Sequence, residues 1–238
     1  MISTSVDPGV RERLALVLDF PTLAAARAAL GPVGDYVKTV KVGYELFFAE
    51  GPVAVTTFVE SGFDVFLDVK LHDIPNTVRN GALAVGRLGA RYVTVHTLGG
   101  KAMVRAAVEG LARGAGEAGV AAPCALGVTV LTSDASAPLG EVERRMAMGR
   151  DGGCGGFVCA GAEVATAARV APSLVTYIPG IRLPGADAND QGRPTTPDEA
   201  IRAGATILGI GRTVTAAADP VAEMQRVHDT VAAALATH

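Results

Sequence analysis

The chain has 238 residues, of which 49% are hydrophobic and 19% are charged, so it can bury enough apolar surface for one large domain. This composition excludes a disordered chain, and the formal net charge of −3 gives no overall basic field to attract nucleic acid or anionic membrane surfaces. No apolar run approaches the roughly 20 residues that cross a bilayer, and residues 1–8 lack the pattern of a secretory signal. We therefore expect one cytoplasmic domain over residues 1–238, with neither nucleic acid nor membrane as a partner.

Short runs of β-branched and aliphatic residues recur along the chain and predict eight strands. They cover residues 14–19, 36–41, 63–68, 92–96, 125–130, 156–159, 174–178 and 206–210. Stretches rich in Ala, Arg and Glu lie between most of them and predict helices. The clearest of these cover residues 23–30, 51–61, 78–88, 103–117 and 163–169.

Strand and helix alternate throughout, which predicts a parallel α/β fold. Eight strand–helix units in about 240 residues match a (β/α)8 TIM barrel better than an open doubly wound sheet, which more often has five to seven strands. No Gly-x-Gly-x-x-Gly motif follows the first strand, which further disfavours a dinucleotide-binding sheet. The long turn-rich stretch at residues 179–195 is typical of a functional loop, and we interpret it as a phosphate-binding lid.

Four charged residues mark the ends of the first three predicted strands. In a barrel these ends carry the active site, and strand side chains alternate between the interior and the helix layer. This alternation places Asp19, Lys41, Asp68 and Lys70 at the mouth of the barrel. The alternative interpretation is a salt-bridge network that only stabilises the barrel. Four buried charges are costly for that purpose, because apolar residues often stabilise an interior equally well. The cluster therefore indicates a functional site.

Lysine is rare in this chain: four of the 21 cationic residues are lysines and the others are arginines. Arginine cannot replace lysine where a site needs a cation that gives up a proton, because its pKa stays above about 12. Lys41 and Lys70 are candidates for such a role. For Lys38 and Lys101, chance occurrence in an arginine-rich chain is at least as good an explanation as a functional role.

The segment after Lys70 adds a third acid, Asp73, which the predicted loop could bring to the same opening. Pro75 ends the strand, and Thr77 is positioned to cap the following helix. Two glycine–arginine segments follow the seventh and eighth strands, where barrels of this type commonly bind phosphate. The first segment contains Arg182, and the second contains Gly211 and Arg212. Together they predict a phosphorylated ligand.

The remaining reactive side chains receive no catalytic role. We expect the three cysteines, Cys124, Cys154 and Cys159, to be small buried residues, because their number and spacing match no zinc motif. His72 and His96 lie near strand ends, where orienting a loop by hydrogen bonding explains them as well as acid–base chemistry does.

Several segments together resemble one enzyme family. Residues 68–77 contain the Asp-x-Lys-x-x-Asp signature of orotidine 5'-phosphate decarboxylases, and Pro-Gly-Ile-Arg at 179–182 is similar to the phosphate-loop motif of that family. Further matching segments follow in order over most of the chain. They lie at residues 18–19, 41–47, 96–100, 131–133, 189–191 and 209–212. The Asp-x-Lys-x-x-Asp signature alone is shared with related sugar-phosphate decarboxylases and hexulose-phosphate synthases.

The resemblance implies a cofactor-free, metal-free homodimer that converts orotidine 5'-phosphate to uridine 5'-phosphate (UMP), the last step of UMP biosynthesis. It implies that Lys70 protonates C6 of the pyrimidine as carbon dioxide leaves and that Asp68 lies beside the substrate carboxylate. It also implies that Asp73 and Thr77 serve the partner subunit's site, so that each active site is shared between two chains.

The remaining roles also come from the resemblance. Asp19 and Lys41 would hold the ribose and orient the charged cluster, and Thr132 would contact the pyrimidine edge. The phosphate would be bound by Gln191, Gly211 and Arg212, with Arg182 in the same loop system.

Two other functions remain open from the sequence. One is a metal-dependent sugar-phosphate decarboxylase or synthase on the same barrel, which would need a divalent ion to stabilise an enediolate. The other is a phosphate-ligand binding protein without catalysis, which would leave the Asp and Lys cluster unexplained.

Overall fold

The computed structural model describes residues 6–131, 134, 137–184 and 195–237, and in these ranges eight parallel strands form a closed barrel. Each strand pairs with the next in sequence, and the eighth pairs with the first. The strands are β1 Leu14–Leu18, β2 Thr39–Val42, β3 Asp64–Leu71, β4 Tyr92–His96, β5 Cys124–Val128, β6 Gly156–Val158, β7 Val175–Ile178 and β8 Ile207–Ile210. The predicted (β/α)8 barrel is confirmed, and each predicted run overlaps one of the strands.

Helices surround the barrel, as the alternating pattern predicts. The α-helices are α1 Pro8–Arg11, α2 Leu23–Leu30, α3 Tyr44–Glu50, α4 Val53–Glu60, α5 Pro75–Gly86, α6 Gly100–Ala118, α7 Leu139–Gly152, α8 Val164–Val170, α9 Pro197–Arg202, α10 Arg212–Thr215 and α11 Pro220–Ala236. Within the described residues, short 3₁₀ helices lie at Gly34–Tyr36, Thr97–Gly99 and Gly161–Glu163. None of the helices in the described ranges is both long enough and apolar enough to span a membrane.

The start of α5 differs from the prediction. The helix begins at Pro75, whose missing N–H and fixed φ suit the first helical position, and Ile74 precedes it without a side-chain cap. Thr77 therefore lies inside the first turn, and its interpretation as the capping residue is wrong. The error arose because the sequence pattern placed the helix start three residues too late, at residue 78.

The apolar interior has two parts. A large core lies mainly between the strands and the helices. A smaller cluster fills the barrel, formed by Ala15, Phe66, Tyr92, Leu126, Tyr177 and Ile207. The Phe66 and Tyr177 rings meet edge to face with centroids 4.6 Å apart. This packed layer fills the barrel below its C-terminal mouth.

Gly209 on β8 makes room for this layer. A Cβ atom at residue 209 would lie 2.2 Å from the hydroxyl oxygen of Tyr177, and the buried ring cannot move aside. We expect Gly209→Ala to lower the free energy of unfolding by about 1–3 kcal/mol, as overpacking does in other cores. Gly116→Ala on α6 is the matched control, because nothing lies within 4 Å of its added Cβ. Denaturant unfolding measures both variants, and equal stability of the two would contradict the steric explanation.

The cysteines lie largely as expected. Cys154 and Cys159 are buried, and Cys124 is half-buried. Burial raises the pKa of the Cys154 thiol to about 12, so this side chain is a neutral packing group at physiological pH.

Candidate active site

A cavity of about 430 Å³ opens at the C-terminal ends of the strands. It has the size of a small-molecule site, about 300–1,000 Å³. The predicted charged residues from β1, β2 and β3 lie on one side, and the two glycine–arginine segments after β7 and β8 lie on the other. Its lining includes Asp19, Lys41, Asp68, Lys70, Arg182, Gly211 and Arg212. The structure thus brings seven of the predicted site residues into one cavity.

The four charged residues form a chain of alternating sign. Lys41 Nζ lies 3.6 Å from Asp19 Oδ1 and 3.3 Å from Asp68 Oδ2. Lys70 Nζ lies 2.9 Å from Asp68 Oδ1. The Lys41 and Asp68 side chains are 11% and 14% exposed, whereas Asp19 is 50% exposed, so the network runs from solvent into the barrel. Each cation contacts a carboxylate, as buried charges require.

Asp68 is held in its ionised form. Burial alone would raise the pKa of this carboxyl, but the nearby ammonium groups of Lys41 and Lys70, with hydrogen bonds from Lys70 and Thr94, hold the pKa below its usual value. Asp68 is therefore a carboxylate at neutral pH, next to an ammonium group that points into the cavity.

Lys70 has an unusual backbone. Its φ of 42° lies in the left-handed region, which a non-glycine residue rarely adopts. The strand pairing also shifts here, since Leu67 pairs with Val93 and Leu71 with Val95. The Lys70 N–H donates to Thr94 Oγ1 at 2.8 Å. Backbone strain that the surrounding structure maintains in this way clusters at functional sites.

The opposite side of the cavity carries two guanidinium groups. Arg182 is 6% exposed, and its Nη1 donates to the Ile181 carbonyl at 3.0 Å. Burial, and then the positive charge of Arg212, lower the pKa of Arg182. Two cations held close together at one end of a cavity are suited to bind an anion. Each guanidinium group can donate two parallel hydrogen bonds to the oxygens of a phosphate. The geometry agrees with the phosphorylated ligand that the sequence predicts.

The sequence profile of the Orotidine 5'-phosphate decarboxylase / HUMPS family matches residues 12–227. The chain belongs to this family. It is 45% identical over 227 residues to the orotidine 5'-phosphate decarboxylase of Anaeromyxobacter sp. (strain K), covering 91% of this chain and 96% of that protein. It is 42% identical over 225 residues to that of Lactiplantibacillus plantarum, covering 89% and 95%.

A solved structure agrees with these sequence relatives. The crystal structure of orotidine 5'-phosphate decarboxylase from Lactobacillus acidophilus superimposes with a TM-score of 0.78 at 32% identity. The match covers 92% of this chain and 99% of that chain.

Asp73 and Thr77 do not line the cavity. They lie in a neighbouring depression of about 680 Å³, which Lys70 also lines. The Asp73 carboxylate accepts a hydrogen bond from the Ile74 N–H at 2.6 Å. The expectation that the loop brings Asp73 to its own chain's opening is therefore wrong, because the loop turns the residue toward this outer depression.

Two predicted contacts and most of the predicted lid fall in parts of the chain that the structure does not describe. Thr132, Gln191 and residues 185–194 lie outside the described residues. The two described ends of the loop are adjacent, since the Arg182 N–H donates to the Thr195 carbonyl at 3.0 Å. The two described ends of the loop therefore meet at the backbone of Arg182.

His72 and His96 stack beside the outer depression, with ring centroids 5.3 Å apart. His96 Nδ1 accepts the Leu98 N–H at 3.2 Å, which fixes the ring and its tautomer. Burial, with contributions from His72, Arg145 and Lys70, lowers the pKa of His96 to about 4. His96 is thus neutral at physiological pH and orients its loop, as one of the two interpretations expected.

Two site residues were missed by the sequence analysis. Thr94 contacts both Asp68 and Lys70, and Tyr177 lines the floor of the cavity. Alternation along β4 and β7 places both side chains inside the barrel, and this signal could have found them. Among the described residues, no group of three or more His, Cys, Asp or Glu side chains is arranged to hold a metal ion.

Proposed function

We propose that this protein converts orotidine 5'-phosphate to UMP and carbon dioxide. The observation that carries the proposal is the Asp19–Lys41–Asp68–Lys70 network, which shares one cavity with a pair of arginines. The network supplies a positioned proton donor, and the arginines supply a phosphate site. The relatives named orotidine 5'-phosphate decarboxylase support the same reaction. We place the reaction in the cytoplasm.

Lys70 is the group that stabilises the reacting carbon. When the bond from C6 to the carboxylate breaks, its electron pair stays on C6 and neutral carbon dioxide departs. This carbanion has no adjacent carbonyl or imine to delocalise the charge. The Lys70 ammonium stabilises the developing negative charge and transfers one proton to C6, which leaves a neutral amine. Because the charge on C6 exists only as the bond breaks, this interaction favours the transition state over the ground state.

Asp68 acts on the substrate carboxylate and on Lys70. Its carboxylate holds Lys70 Nζ at 2.9 Å and stays ionised because Lys41 and Lys70 keep its pKa low. A substrate carboxylate placed beside it is repelled, and the repulsion ends when neutral carbon dioxide leaves. We therefore expect activity to fall on acidification when this network is protonated, at a pH below the usual pKa of an aspartate.

The other residues bind the nucleotide. Asp19 and Lys41 hold the ribose and orient the network, and Thr132 contacts the pyrimidine edge. The phosphate is bound by Arg182, Gln191, Gly211 and Arg212. Binding energy from this remote group positions the substrate carboxylate against Asp68, so phosphate contacts affect turnover as well as affinity.

The active protein is a homodimer with shared sites. The outer depression that contains Asp73 and Thr77 is bordered by exposed apolar side chains, of which Tyr44 is 45% and Phe48 is 75% exposed. Ile74, next to Asp73, is 66% exposed. Apolar surface of this kind is typical of a protein interface. A second copy seated here would bring its own Asp73 and Thr77 toward Lys70, which lines both the cavity and the depression.

Ultraviolet absorbance tests the reaction directly. Purified protein is mixed with orotidine 5'-phosphate and excess chelator, and conversion of the orotate chromophore to uracil is followed. Loss of the orotate band is the expected result, and it also excludes an obligatory exchangeable metal. No conversion, together with metal-dependent turnover of a sugar phosphate, would assign the chain to the sugar-phosphate branch instead. Ligand binding without turnover would indicate a binding protein.

Arg212 is expected to act mainly through the phosphate. Arg212→Ala removes one charge-assisted contact worth about 1.5–3 kcal/mol, so kcat/KM should fall about ten- to a hundredfold. Steady-state kinetics measure this loss. Arg226→Ala is the control, because Arg226 is an exposed arginine that pairs with Glu223 on α11. An unchanged kcat/KM in Arg212→Ala would remove Arg212 from the phosphate site.

A further inference from the structure

The seam between β3 and β4 contains an irregularity beside the charged network. Leu67 pairs with Val93 and Leu71 pairs with Val95, so three residues of β3 lie opposite a single residue of β4. The three are residues 68–70, and the single residue is Thr94. Thr94 is fully buried. A bulge of this kind interrupts the ladder and leaves backbone groups that need other partners.

The Thr94 hydroxyl provides one of these partners and also contacts the carboxylate. Its oxygen accepts the Lys70 N–H at 2.8 Å. Since a backbone N–H can only donate, the hydroxyl proton remains available, and it is donated to Asp68 Oδ1 at 3.0 Å. The directions of both bonds are therefore fixed.

These two bonds complete a ring of contacts. Asp68 Oδ1 also accepts a hydrogen bond from Lys70 Nζ at 2.9 Å. One hydroxyl thus holds the backbone of Lys70, at its positive φ of 42°, and the carboxylate that fixes the end of the same side chain. Without the hydroxyl, a part-buried N–H would lose its partner, which is costly, and the strained backbone would lose a restraint.

We propose that Thr94 is a positioning residue that sets the distance and orientation between the Asp68 carboxylate and the Lys70 ammonium. The inference rests on the proposed function only for its effect on turnover. Thr94 touches neither the phosphate end of the cavity nor the reacting carbon, and it acts through the two residues that it restrains. Its effect therefore falls on kcat rather than on substrate binding.

Three variants separate this role from simple packing. Thr94→Val keeps the side-chain shape but removes the hydroxyl, whereas Thr94→Ser keeps the hydroxyl. Thr97→Val is the matched control, because Thr97 is also fully buried but its hydroxyl donates to the Val128 carbonyl at 2.9 Å, away from the charged network. Thr94→Cys, whose thiol is a weak donor, replaces Thr94→Val if the valine variant does not fold.

Steady-state kinetics over pH provide the first readout. We expect Thr94→Val to lower kcat about ten- to a hundredfold, with KM changed less than about threefold, because one donor to the charged pair is lost while the phosphate contacts remain. We expect the acid limb of the kcat profile to move to higher pH, since the hydrogen bond from Thr94 helps to lower the pKa of Asp68. Thr94→Ser should retain kcat within a few-fold and keep the wild-type limb.

Thr97→Val should lose stability without moving the acid limb. The proposal is overturned if Thr94→Val keeps the wild-type kcat and acid limb, or if the serine variant is as impaired as the valine variant.

A second readout does not depend on turnover. Carbon-13 NMR titration of the Asp68 carboxyl should give a higher pKa in Thr94→Val than in the wild type and no rise in Thr94→Ser; the same pKa in all three would overturn the proposal. If the wild-type protein fails to convert orotidine 5'-phosphate, the proposed function fails, and the titration still decides the role of Thr94. The other titratable groups near Asp68 are Asp19, Lys41, Tyr44, Lys70 and Tyr177.

Discussion

Replacing Lys70 with alanine is expected to lower kcat by at least about 10⁴-fold, because both a proton donor and a preorganised charge are lost. Lys70→Arg should not restore turnover. A guanidinium group is a poor proton donor, and it is too large for a position 2.9 Å from Asp68 Oδ1 and 5.2 Å from the centre of the Tyr44 ring. Ultraviolet absorbance in single-turnover experiments measures the remaining rate.

Lys101→Ala is the matched control for these variants. Lys101 is an exposed lysine on α6, away from the cavity, and its removal should leave the rate unchanged. Thermal unfolding of each variant shows whether the barrel is intact. Rescue of turnover by Lys70→Arg would refute the assignment of Lys70 as the proton donor.

Mixing two inactive variants is expected to restore activity. A heterodimer of Lys70→Ala and Asp73→Asn subunits contains one site with an intact Lys70 from one chain and an intact Asp73 from the other. Random exchange of equal amounts should therefore give about a quarter of the wild-type activity. The measurement is the decarboxylation rate after subunit exchange, compared with each variant alone.

A second mixture controls for exchange itself. Lys70→Ala combined with Asp68→Ala should stay inactive, because Asp68 and Lys70 enter each site from the same chain, 2.9 Å apart. Differently tagged subunits allow heterodimers to be detected by mass. No recovery in the first mixture, in the presence of heterodimers, would argue against a site shared between subunits.

The strand pattern and the inward-facing charges were predictable because they depend on local periodicity. Asp68 and Lys70 lie two residues apart on one strand, so alternation alone places both at the mouth of the barrel. The two arginines were predictable because each follows a strand whose end is a common phosphate site. Local pattern and fold geometry agree at these positions, and the four residues line one cavity in the structure.

The rest depended on relations that no local pattern contains. The direction of the loop with Asp73 follows from α5 beginning at Pro75, three residues earlier than the helical pattern indicated. The role of Thr94 depends on the register shift between β3 and β4, which is a property of two strands together. The left-handed backbone conformation of Lys70 could not be predicted from the sequence either, because residues other than glycine seldom adopt this conformation.

The two arginines of the cavity also affect how firmly the barrel is closed between β7 and β8. The β7–β8 seam has only two register pairs, Tyr177 with Ile207 and Ile178 with Leu208, the fewest of any neighbouring strands in the described barrel. Arg182 follows β7 and Arg212 follows β8, so their mutual repulsion acts across this seam. A phosphate dianion bound by both arginines would link the ends of β7 and β8 and offset this repulsion. Occupancy of the site would then suppress local opening where the barrel is least firmly closed.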